Sequence, residues 1–130
     1  MRSWQMAAAA LGTVAVVGAT TTVQAAALPT ENTVTFAGAS HTPSPKDLNL
    51  NWTGTCTNPG RVELQINGGE LEGMGETHCE ANGTYRVSWL VYDYENRPGL
   101  EFGKSYAYEG FLINLPDVAE VSGTATLRWE

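Results

Sequence analysis

Apolar and polar residues alternate at every second position along most of this chain, a period that predicts strands rather than helices. Leu48, Leu50 and Trp52 share one face, against Asn49, Asn51 and Thr53 on the other. Val62, Leu64 and Ile66 repeat the pattern against Arg61, Glu63, Gln65 and Asn67. The longest alternation runs from Thr84 to Tyr94, with Tyr85, Val87, Trp89 and Val91 on one side. Shorter stretches follow the same rule: Val34 and Phe36; Phe111, Ile113 and Leu115; and Val121, Ala125, Leu127 and Trp129. The apolar member of each set is expected to face a core, which places Trp52, Trp89 and Trp129 inside.

Punctuation between these runs marks turns. The prolines of Ser40–Pro45 cannot donate to a ladder, and Thr57-Asn58-Pro59-Gly60, Asn82-Gly83 and Glu95–Gly99 are turn compositions. Gly68–Glu76 is glycine-rich and acidic, and reads as a solvated loop. It lacks the lysine and following helix of a phosphate cradle. If Thr84–Tyr94 and Ser105–Leu115 form a hairpin, one register aligns Val87 with Ile113 and Trp89 with Phe111 on the core side. The same register sets Tyr92 opposite Tyr108 and Tyr94 opposite Tyr106 on the other face. About six to eight short strands with such turns predict an all-β, antiparallel immunoglobulin-like β-sandwich, with a partly open β-barrel as the second choice.

One segment breaks the pattern. Met1-Arg2, the apolar run Ala7–Ala19 and the small residues Ala25-Ala26-Ala27 have the order of a secretory signal peptide. The run is thirteen residues long, short of the roughly 20 that span a bilayer. Residues 1–27 are therefore expected to be removed, leaving 28–130 as a single secreted or periplasmic domain with no membrane insertion after cleavage. Without Arg2, six Lys and Arg face 14 Asp and Glu, a formal charge of −8. Phosphate backbones are bound by neutralising them with Lys and Arg, so nucleic acid is a poor partner. The two cysteines, Cys56 and Cys79, have one possible intramolecular pairing in an oxidising compartment, and Cys56 has the parity of Trp52. Their separation of 23 residues is short for the inter-sheet bridge of antibody domains, so the immunoglobulin resemblance is one of architecture.

Candidate chemistry is sparse. Four of the five tyrosines, Tyr92, Tyr94, Tyr106 and Tyr108, would form a flat aromatic face on the hairpin. Such a face suits a sugar, whose C–H groups meet a π face, or a protein partner. It equally suits plain cross-strand packing. His41 and His78 lie in no catalytic motif, and Glu70, Glu72, Glu76 and Glu80 do not have calcium-loop spacing. No enzyme activity, metal or cofactor is expected. Asn51-Trp52-Thr53 and Asn82-Gly83-Thr84 are glycosylation sequons.

The end Ala125-Thr126-Leu127-Arg128-Trp129-Glu130 resembles the carboxyl end of chaperone–usher pilins, which implies that Val34-Thr35-Phe36 serves as a detached donor strand. Asp117 stands near the place of that family's glycine, and the cysteine spacing departs from it. The expected function is a secreted, non-enzymatic binding module contacting a protein or glycan through a sheet face or loops. The alternatives are a pilin-like surface subunit and a secreted enzyme inhibitor.

Overall fold

The computed structural model describes residues 27–130; the expected leader, apart from Ala27, lies outside them. Seven strands are present: β1 (Thr35–His41), β2 (Leu48–Thr55), β3 (Gly60–Ile66), β4 (Gly73–Cys79), β5 (Thr84–Val91), β6 (Ser105–Asn114) and β7 (Asp117–Thr126). They form two antiparallel sheets, one ordered β1-β2-β5 and the other β4-β3-β6-β7. The arrangement is sandwich-like and all-β. Among the described residues, no helix is long and apolar enough to cross a membrane.

The apolar stripes of β2, β3 and β5 face each other, as their alternation requires. Leu48, Leu50, Trp52, Val62, Leu64 and Ile66 are buried, together with Tyr85, Val87 and Val91. Trp52 is the centre of this core. Phe36 and Tyr108 meet its ring edge-on, and Trp89 stacks on it with a centroid distance of 5.5 Å. Cys56 and Cys79 are disulfide-bonded, with Cα atoms 6.0 Å apart. The bond joins the residue after β2 to the last residue of β4, tying one sheet to the other.

Four expectations are corrected. Gly73–Cys79 is a strand, not a loop. Its glycines exist because the Trp89 indole lies against the strand backbone, where a Cβ on Gly73 would overlap the ring. The expected β5–β6 hairpin is absent: β5 pairs with β2, while β6 lies in the other sheet between β3 and β7. Residues 92–104 carry the chain between sheets, so Val87 does not oppose Ile113 and Trp89 does not oppose Phe111.

The faces of β6 are the reverse of those expected. Tyr106, Tyr108, Gly110, Leu112 and Asn114 turn inward, leaving Phe111 and Leu115 exposed and Ile113 half-buried. Gly110 carries this reversal, because a Cβ there would collide with the backbone of Gln65 and Ile66 on β3. Trp129, finally, is 40% exposed. The alternation of β7 ends at Thr126, and the chain crosses to β1. There Ala39 N–H donates to the Arg128 carbonyl (2.7 Å), and Glu130 N–H donates to the Ala39 carbonyl (2.8 Å).

Candidate functional site

Four aromatic rings converge where β1 ends, β6 begins and the segment after β7 passes. They come from three parts of the chain: His41 from the end of β1, Tyr94 and Phe102 from the β5–β6 connection, and Trp129 from the segment after β7. Trp129 stacks on His41, with centroids 4.2 Å apart and planes 20° apart, and on Phe102, at 4.5 Å and 24°. Tyr94 meets Phe102 and Trp129 edge-on at 6.1 and 6.3 Å. Phe102 and Trp129 are 38% and 40% exposed and His41 is exposed as well, so three of the four rings reach solvent, with Tyr94 half-buried.

Local hydrogen bonding fixes each ring's backbone. His41 is the last residue of β1, and the turn that follows is closed by the Thr42 hydroxyl, which accepts from the Ser44 N–H (3.1 Å). Asp93 adopts φ 51° before a single 3-10 turn, Tyr94–Asn96. Its N–H donates to the Asp47 carboxylate (3.0 Å), and Tyr94 N–H donates to the Lys46 carbonyl (3.0 Å). The β5–β6 connection is thereby locked to the β1–β2 turn. Phe102 sits on a turn pinned to the segment after β7: Gly103 N–H donates to the Leu127 carbonyl (2.8 Å), and Leu127 N–H to the Lys104 carbonyl (2.9 Å). Ordering costs of this kind are met on folding rather than on binding, which is what preorganises a recognition surface.

Charges of both signs surround the rings. Lys46, Asp93, Glu95, Arg97, Glu101, Lys104 and Arg128 are all exposed. Glu101 lies 3.2 Å from Lys104 and holds that ammonium above its ordinary pKa. The cluster is thus an aromatic centre inside a polar rim of mixed charge.

The four tyrosines expected on one outer face do not share one. Tyr92 lies just past β5 and is 64% exposed. Tyr94 belongs to the aromatic cluster. Tyr108 packs on Trp52 inside the sandwich and covers Gly123, its partner on β7; burial raises its phenol pKa. Tyr106, at the start of β6, has its hydroxyl tied back to the preceding connection. That hydroxyl donates to the Gly99 carbonyl and accepts from Glu101 N–H, both at 2.7 Å. Tyr85 behaves similarly, donating to the Thr33 carbonyl at 2.7 Å, and burial pushes its phenol pKa well above the ordinary value.

Of the remaining candidates, His78 is exposed on β4, away from His41. The glutamates are dispersed: Glu70 lies against Gly99, Glu72 accepts from Gly68 N–H, Glu76 pairs with Arg61, and Glu80 follows β4. Sequence reasoning missed His41, Phe102 and Trp129 as a group, because they are brought together by chain crossings and share no local motif. Comparison with protein-family models, with curated proteins and with solved structures finds no match to this chain.

Proposed function

We propose that the chain is an exported, non-enzymatic binding module that grips a protein partner through the His41–Tyr94–Phe102–Trp129 cluster. One observation carries the reading: Trp129 and Phe102 stay 40% and 38% exposed although their backbones are pinned on both sides. Large aromatics held at a surface are the side chains that dominate interface energetics. A protein suits this cluster better than a sugar, because its rings stack on each other instead of offering an open face to C–H groups.

The immunoglobulin-like character of the fold belongs to the same proposal. Its support is the order β1-β2-β5 against β4-β3-β6-β7, and Tyr106, whose hydroxyl returns to the backbone upstream in the manner of a tyrosine corner. Export is supported by the leader pattern and by the disulfide. The pilin-like alternative requires a detached first strand, whereas β1 is paired with β2 from Thr35 to His41.

Photo-crosslinking tests the reading. A crosslinker placed at Phe102 should yield a defined protein adduct in the exported fraction of the source cells. The same group at Met74, exposed on β4, should not. The adduct should vanish when Trp129 is replaced by alanine in a chain whose circular dichroism is unchanged. Equal labelling from both positions refutes the site. Retention on a glycan array that is lost with Phe102→Ala would transfer the site to a carbohydrate.

A further inference from the structure

The reversal of β6 leaves an apolar strip on the outer face of the four-stranded sheet, remote from the aromatic cluster. Phe111 and Ile113 occupy successive outward positions on β6, Val118 lies opposite Ile113 on β7, and Leu115 follows. Leu115 and Val118 are 66% and 58% exposed. Contiguous exposed apolar groups of this kind mark interaction surfaces.

The charges around the strip define what it accepts. Glu63 and Glu76 are opposite one another on β3 and β4, and both pair with Arg61, which consumes that cation. Glu109 and Glu120 pair with no cation among the described residues. They flank a trough of about 510 Å³ over β6 and β7, whose walls include Phe111, Asn67 and Ser122. Glu120 is directly opposite Phe111, and Glu109 is two residues before it, so both carboxylates stand beside the ring. A lysine or arginine seated there would gain two carboxylates and the face of Phe111. A second copy of the chain, or an anionic membrane, would instead bring negative charge against these groups.

We propose that the strip Phe111–Ile113–Leu115–Val118, with the Glu109–Glu120 trough, is a docking face for a protein segment that alternates apolar residues with Lys or Arg. The test uses a short peptide alternating lysine with valine and leucine, alongside its glutamate-for-lysine counterpart, followed by amide NMR shifts of the disulfide-intact protein. The lysine peptide should shift residues of β6 and β7, leave Phe102 and Trp129 unmoved, and bind more weakly as salt rises. Glu109→Gln with Glu120→Gln should weaken it at least about ten-fold, as should Val118→Lys, each change amounting to roughly 1.4 kcal/mol or more. Glu31→Gln with Glu80→Gln alters the net charge equally elsewhere and should change affinity by less than about two-fold.

Each of these results overturns the proposal: equal binding of the glutamate peptide, equal weakening by both carboxamide pairs, shifts confined to another surface, or unchanged affinity in Val118→Lys. A concentration-dependent dimer abolished by Val118→Lys would overturn it in favour of a second copy. Binding to zwitterionic vesicles abolished by the same variant would overturn it in favour of lipid.

Discussion

Gly73 and Trp89 should be energetically inseparable, and a double-mutant cycle will show it. In β4, an alanine Cβ at position 73 would occupy space held by the Trp89 indole, while Gly75 is similarly close to Val87. Gly73 does not have a positive φ, so alanine fits the backbone and should gain about 0.4–1 kcal/mol by restricting the unfolded chain. Overpacking opposes this gain with about 1–3 kcal/mol, because the indole is also stacked on Trp52 and has little room to tilt. Gly73→Ala is therefore expected to destabilise by about 1–2 kcal/mol, lowering Tm by roughly 4–8 °C per kcal/mol. Trp89→Ala should cost about 2–4 kcal/mol, toward the lower side of the range for large core aromatics because Trp89 is half-buried. With the indole gone, the same Gly73→Ala change should become stabilising by about 0.4–1 kcal/mol. Urea unfolding followed by far-UV circular dichroism measures all four corners of the cycle. If Gly73→Ala costs the same with and without Trp89, the indole is not the reason for the glycine, and the account of β4 fails.

Tyr106→Phe removes the hydroxyl that serves both Gly99 and Glu101, and should cost about 1–2 kcal/mol; faster amide exchange across 97–104 would locate the loss. The unfolded, unreduced protein should show no free thiol, and replacing both Cys56 and Cys79 by alanine should cost about 3 kcal/mol for a loop of this length. Arg86 hydrogen-bonds Glu130 and holds its carboxylate below the ordinary pKa. The unfolded chain therefore takes up this proton first on acidification. The stabilisation is complete above the ordinary carboxylate pKa and lost as pH falls through the folded value, and Glu130→Gln should flatten the stability–pH slope below about pH 4.5. In a glycosylating host, mass spectrometry should find sugar at Asn82, exposed on the β4–β5 turn. It should find none at Asn51, which is buried and bonded to Ser40, Ser88 and Glu130.

Where one face of a strand is apolar and the other purely polar, the sequence decides the fold. Leu48-Asn49-Leu50-Asn51-Trp52 has one reading, and the core adopts it. On β6, both faces carry large side chains, Tyr106 and Tyr108 on one and Phe111 and Ile113 on the other. Parity alone cannot choose between them. Gly110 settles the matter through its contact with β3, a non-local fact. The missing hairpin has a related cause. Consecutive strands usually pair, but thirteen residues separate β5 from β6, enough to cross between sheets. That length was the visible signal against the hairpin. The aromatic site was the least legible part, since His41, Tyr94, Phe102 and Trp129 have no common period or spacing and meet only after three turns and a sheet crossing are in place.

The crossing of residues 128–130 onto β1 also bears on how the molecule survives at high concentration. An outer strand offers unpaired N–H and C=O groups to any neighbouring chain, the usual starting point for edge-to-edge aggregation. At Ala39, both groups are already spent on Arg128 and Glu130, and Gly38, at φ 125°, lets that segment approach within contact of the strand. The Glu130 side chain then continues across the sheet to Asn51 and Arg86. The same few residues that hold Trp129 at the surface thus deny the middle of β1 to an incoming strand, and exposure of the ring and protection of the edge are built from one stretch of backbone.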